Sequence, residues 1–254
     1  MKKQVWYKEW IWYYHFLLFC VFLGFLLWGL YLAVFVEHWY FKNNNMPEAL
    51  INYDILMSFY SVQVNIATIV WLLFYLINFN KRTGGGITSN RFRMTIMNLN
   101  LVVFIIFWIG IIVYMNEDLN FLKLYTNWQI ICTVVTHFIC PLSLILIYFF
   151  TSGNEQYKYL NMWKYWDIYI TYIYSFLYMI YVFTRGKIYG ADNINIMKWP
   201  YPFLDFDNLF VGSSIIGYMV LITIVFVIWL SLNHWILIFI NNCIYKIRKN
   251  NNKY

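Results

Sequence analysis

Charge is what this chain has least of: Asp, Glu, Lys and Arg make up 11% of its 254 residues, against roughly 25% in a soluble domain. That scarcity excludes an ordinary water-soluble fold. Cysteine is sparse as well. Cys20, Cys132, Cys140 and Cys243 form no Cys-x-x-Cys pair and fall within or at the ends of apolar runs, which excludes a disulfide framework and a zinc site. No carboxylate cluster or metal-ligand spacing occurs within those runs, so no metal is expected. The glycine stretch Lys81-Arg82-Thr83-Gly84-Gly85-Gly86 lacks the Gly-Lys-Ser/Thr ending of a phosphate loop and reads as a connector. No small-residue cleavage site follows the first apolar run, which is too long and too aromatic for a signal-peptide core, so it is expected to be retained. Internal repeats are lacking too, which removes the inverted-repeat transporters.

Apolar runs fill the space that charge leaves: 62% of residues are hydrophobic and 24% aromatic. Six runs approach or exceed the roughly 20 residues a spanning helix needs, and a lone strand cannot satisfy its backbone in lipid. The expectation is an all-α, polytopic membrane protein. It is one domain over residues 1–254, a bundle of six transmembrane helices at about 10–36, 53–78, 92–114, 128–150, 165–184 and 211–240.

Basic residues set the expected orientation. Of the 18 Lys and Arg, 13 flank the termini and the connections after the second and fourth runs, from Lys2, Lys3 and Lys8 through Arg91, Arg93, Lys158 and Lys164 to Lys246, Arg248, Lys249 and Lys253. Both termini are therefore expected in the cytoplasm. The net charge of +7 needs no nucleic acid to explain it; anionic lipid of the inner leaflet is the expected partner of these ends. Acidic residues, among them Glu37, Asp54, Asp205 and Asp207, collect at the opposite side.

Against this background His137 stands out, because it lies inside the run TVVTHFICPLSLILIYFF with no charge nearby. An ionisable side chain kept at membrane depth is by default a functional-site hypothesis; the plainer reading is a histidine satisfied by neighbouring helices. In the second run Ser58, Ser61, Asn65 and Thr68 recur at helical spacing and share one face, which must point into the bundle. Such a stripe often only joins helices. A serine near a histidine is also half of an acyl-transfer site. Depth brings the two together: Ser61 lies ~12 Å below Tyr53 and His137 ~14 Å below Trp128, counting 1.5 Å per residue from the same interface. Pro141 frees the carbonyl of His137 and can kink the helix there. Cys140 is a rival nucleophile, but cysteine is usually buried packing, which favours Ser61. His15 and His234 read as packing near the basic side; a pair of histidines ligating haem is the rival reading.

Three segments together, FYSVQVN, THFICPL and RGKIYG…WPYPFLDFD, resemble the androgen-induced-gene family of integral membrane proteins, and its bacterial branch in particular. There the pieces read as aromatic-Thr-x-x-x-Asn, His-x-x-x-Pro and Tyr-Pro-Phe-Leu-Asp, in this order across six spans, so the likeness covers essentially the whole chain. It implies a bacterial plasma-membrane location. Animal members are threonine hydrolases that split fatty acid esters of hydroxy fatty acids with an intramembrane threonine and histidine. By resemblance Ser61 takes the threonine's place and His137 the histidine's. Serine keeps the hydroxyl chemistry but lacks the methyl that helps position it, and Val64 stands where the bacterial pattern often has a second small polar residue.

The expected function is therefore an intramembrane hydrolase of a fatty-acyl type lipid ester, with Ser61 as nucleophile and His137 as base. Asn65, one turn from Ser61, would support the oxyanion, and Asp205 would orient the histidine if its loop dips inward. Arg185 would meet a polar head group, and Tyr201 and Phe203 the substrate. This chemistry requires no cofactor. The alternative expectation is a non-catalytic lipid-binding, transport or scaffold protein whose polar residues only join helices.

Overall fold

A computed structural model gives the architecture and describes residues 6–43, 48–81, 86–117 and 121–251. Among the described residues every regular element is helical. The helices are α1 (Trp10–Tyr31, extended by a π-turn over Leu32–Val36), α2 (Glu48–Ser58), α3 (Tyr60–Ile77), α4 (Asn90–Glu117), α5 (Asn127–Val134), α6 (Cys140–Thr151), α7 (Trp166–Ala191) and α8 (Ile215–Asn251). A π-turn over Val135–Ile139 joins α5 to α6.

Five helical stretches are long and apolar enough to cross a membrane: Trp10–Val36, Tyr60–Ile77, Asn90–Val113, Asn127–Thr151 and Ile215–Asn251. The sixth expected run forms α7, a helix of 26 residues. Its many tyrosines, with Asp167 near one end and Arg185 and Lys187 near the other, keep it outside those five.

Polarity is distributed as lipid solvation demands. Leu17, Ile77, Ile109, Phe150, Ile216 and Ile224 are exposed, whereas Asn65, Thr68, Asn98, Asn100 and Asp167 are buried. A soluble protein sorts its residues the other way. α4 lies at the centre, packed on α3, α6, α7 and α8. One core surrounds Phe22, Trp71, Leu72 and Tyr148 toward the basic end of the bundle. A second surrounds Tyr60, Val64, Val103, Tyr178, Phe206 and Leu230 toward the acidic end.

The helix expected over 53–78 is broken. Phe59, between α2 and α3, is extended at φ −73° and ψ 131°. A break inside a bundle strands backbone groups that must find other partners. Ser58 Oγ donates to the Ile55 carbonyl at 2.7 Å, Gln63 Nε2 to that of Met57 at 3.1 Å, and Tyr178 Oη to that of Ser58 at 2.8 Å. These three bonds stabilise the free end of α2.

At the basic end, α8 holds the connection between α6 and α7. Asn241 accepts from the Gly153 amide at 2.8 Å and donates to the Glu155 carbonyl at 2.9 Å. Asn242 accepts from the Tyr157 amide at 2.9 Å and donates to the Tyr157 carbonyl at 2.8 Å. Each side-chain amide thus replaces a missing backbone partner.

Candidate functional site

Ser61 is the second residue of α3 and is nearly buried. The first amides of a helix have no partner within it and carry its positive dipole end. In α3 the amides of Tyr60 and Ser61 face the hydroxyl of Tyr201, which also meets the Ser61 hydroxyl. Tyr201 comes from the connection between α7 and α8. Burial pushes its hydroxyl up to about 12, against the pull of Ser61 and the two amides, so it remains a donor.

Aromatic packing fixes that ring. Tyr201 stacks on Phe203 with centroids 5.3 Å apart and meets Phe59 edge-on at 5.9 Å. Tyr60 turns to the other side, where its hydroxyl pairs with Ser175 Oγ at 3.2 Å. Tyr60, Ser175, Met179, Tyr201, Phe203 and Phe226 line an apolar crevice with a cavity volume of ≈ 30 Å³, room for little more than water.

Asn65 follows one turn along the Ser61 face. It is 1% exposed, and neither its Nδ2 nor its Oδ1 has a hydrogen-bond partner. One turn further, Thr68 Oγ1 accepts from Asn100 Nδ2 of α4 at 2.8 Å. The polar stripe therefore points into the bundle, as its spacing implies.

His137 lies in the π-turn. The Cys140 amide reaches back five residues to the Val135 carbonyl, and Pro141 has no amide to contribute. An extra residue is accommodated in the widened turn, a distortion common at functional sites. Nδ1 of His137 is 3.0 Å from the Thr133 carbonyl and 2.9 Å from Thr136 Oγ1. A carbonyl can only accept, so the Thr133 contact puts the proton on Nδ1 and leaves Nε2 able to accept one.

No hydrogen bond joins Ser61 to His137 among the described residues. Their levels in the bundle do correspond. α3 and α4 run in opposite directions, so the Thr68–Asn100 bond fixes their register. Seven residues back from Thr68 to Ser61 match seven onward from Asn100 to Phe107. The Phe107 ring lies 5.6 Å from that of His137.

The remaining expected site residues are engaged elsewhere. Arg185 is buried rather than at the rim: its Nε donates to Asp54 at 2.7 Å and its Nη1 to the carbonyls of Met197 and Lys198 at 3.1 and 2.9 Å. Asp205 caps its own turn, accepting from the amides of Asp207 and Asn208 and from Asn208 Nδ2 at 2.9, 3.1 and 3.0 Å. Asp207 pairs with Lys198 at 2.6 Å and accepts from Trp199 Nε1 at 2.9 Å. His15 stacks on Tyr75 at 4.1 Å. His234, expected only to pack, lies 3.3 Å from a carboxylate, Asp167.

The chain matches no protein-family model, no curated protein and no solved structure.

Proposed function

We propose that this chain is a polytopic membrane hydrolase that cleaves a lipid-borne ester of the fatty-acyl type. In this reading α2 and α3 together form one span and α7 forms another, which makes six. The basic end and both termini face the cytoplasm, against anionic lipid. The resemblance to the bacterial branch of the androgen-induced-gene family supports the same assignment.

The observation that carries the reading is the break at Phe59. It presents the Ser61 hydroxyl beside the first amides of α3, those of Tyr60 and Ser61, under the Tyr201 hydroxyl that they face. Donors gathered where an oxyanion would form are the largest single source of rate in acyl transfer. Ser61 Oγ attacks the ester carbonyl carbon as its proton passes to Nε2 of His137. The two amides and Tyr201 Oη stabilise the oxyanion, with Asn65 as further support. Collapse of the intermediate expels the alcohol, which takes the proton back from His137. Water then repeats the sequence on the acyl-serine and releases the acid. The reading requires Nε2 of His137 to come within proton-transfer reach of Ser61 when substrate is bound.

One observation favours a second reading. Tyr201 occupies the Ser61 hydroxyl and the adjoining crevice is narrow, as in a non-catalytic bundle whose polar groups only join helices.

Labelling with a fluorophosphonate probe separates the two. Wild type in detergent is compared with Ser61→Ala, His137→Ala and Cys140→Ala. The hydrolase predicts labelling that is lost in the first two and kept in the third. Unlabelled but folded wild type would leave the non-catalytic reading standing.

A further inference from the structure

The seam between α7 and α8 differs from its neighbours in what holds it. Tyr60 Oη of α3 pairs with Ser175 Oγ of α7 at 3.2 Å, and Asn98 Nδ2 of α4 donates to the Leu230 carbonyl of α8 at 2.8 Å. Between α7 and α8 the hydroxyls of Tyr172 and Ser231 meet at 2.7 Å. From there toward the acidic end, one hydrogen bond crosses the seam among the described residues, Thr223 Oγ1 to Met179 Sδ at 3.8 Å. The same hydroxyl reaches the Met219 carbonyl at 2.8 Å. It has a single proton, and a thioether is the weaker acceptor. Van der Waals packing therefore joins the two helices over this stretch, and they can part without stranding a polar group.

The crevice beneath Tyr201 runs along this stretch. Ser175 and Met179 of α7 are buried at its floor, whereas Phe176 is exposed and Thr223 and Val227 of α8 are half-buried at its lip. Its outer end is closed by Tyr201, whose hydroxyl meets that of Ser61. The Tyr172–Ser231 bond closes the other end. Between the two contacts that cross the seam lie seven residues of α7 and eight of α8, or about 10–12 Å of helix. A fully extended hydrocarbon advances ~1.25 Å per carbon when its bonds are ~1.5 Å long. The seam thus matches about eight to ten carbons by the same bond length.

The chemistry of the seam selects its occupant. No charged residue lines it, and what lies beyond its exposed lip is lipid, so the group that can enter is a hydrocarbon chain. The volume of ≈ 30 Å³ belongs to the closed seam. Room for a chain comes from the parting of the helices and from Met179, whose unbranched side chain re-packs easily. A chain lying there points its head at Tyr201 and hence at Ser61.

We propose that the acyl chain of the ester enters sideways from the lipid between α7 and α8 and lies along this seam, where Val227 limits the length accepted. This rests on the hydrolase reading for what the chain is attached to, and on the seam alone for where the chain lies.

The test compares an ethyl and a decyl fluorophosphonate on the full chain in detergent. Val227→Trp, one turn beyond Thr223, is expected to slow labelling by the decyl probe at least ~10-fold and to leave the ethyl probe unchanged. Ile224→Trp, on the exposed side of α8, changes neither. Should Val227→Trp not fold, Val227→Leu decides by a shift in the same direction. Decyl labelling that the folded Val227 variant leaves unchanged overturns the proposal. If neither probe labels wild type, the hydrolase reading fails, and the chain is followed alone with decanoic acid carrying a terminal diazirine. Saturable attachment to seam residues of α7 and α8, competed by plain decanoate and lost in the Val227 variant, upholds the site. Attachment elsewhere only, or without saturation, overturns it.

Discussion

Tyr178 donates its hydroxyl to the carbonyl of Ser58 at 2.8 Å, and through that bond α7 holds the last residue of α2 in place before the chain breaks. Without it a buried carbonyl loses its partner beside the residues that present Ser61. Tyr178→Phe is expected to destabilise the protein by about 1 kcal/mol, near the upper range of hydrogen bonds measured in membrane bundles. Thermal unfolding in detergent measures this. An unchanged Tm would mean that the break is held by the other contacts alone.

Tyr201→Phe keeps the ring and its stack on Phe203 but removes the hydroxyl over Ser61. If the donor serves an oxyanion, turnover of an ester substrate falls about 10²–10³-fold with KM little changed. A loss confined to KM would assign Tyr201 to substrate binding instead.

The Arg185–Asp54 pair is asymmetric, with side chains 4% and 38% exposed. Removing the arginine leaves a carboxylate that water can reach. Removing the aspartate strands a guanidinium whose only ion pair among the described residues is lost. Asp54→Ala is therefore expected to cost about 2–4 kcal/mol and Arg185→Met only about 1 kcal/mol. Equal losses in chemical denaturation would refute this ordering.

Acid should loosen the connection between α7 and α8. The hydrogen bond from Lys198 holds the Asp207 carboxyl below its ordinary value of 3.8. A depressed folded-state value contributes stability that is present above the unfolded pKa and is lost as pH falls through the folded one. The indole N–H resonance of Trp199, which bonds Asp207, reports the change. It should shift below pH 3.8 and be insensitive to pH in Asp207→Asn.

Much of the bundle was legible because lipid leaves few choices: apolar runs of sufficient length become helices. The stripe from Ser61 to Thr68 was legible for a related reason, since polar groups at helical spacing must face inward. Phe59 was not. It is neither Gly nor Pro, and the sequence around it reads as continuous helix; beside the nearby Gln63, the break depends on Tyr178 and Tyr201, which arrive from elsewhere. The pairing of Asp167 with His234 was not legible, because each sits alone in its own segment and only packing makes them neighbours. Arg185 was placed at the rim because the run was expected to end at 184, whereas α7 continues to Ala191 and carries Arg185 inside the bundle.

Asn241 and Asn242 have a practical bearing on mapping which side of the membrane each loop faces. Reporter tags are usually spliced into connections on the assumption that these tolerate insertion. Between Gly153 and Tyr157 the main chain is paired to α8 as if to a strand, so a tag placed there would unseat the helix whose location it was meant to reveal. Around Gly212 the chain turns at φ +73° with open space beside the glycine, which makes it the better place for a tag.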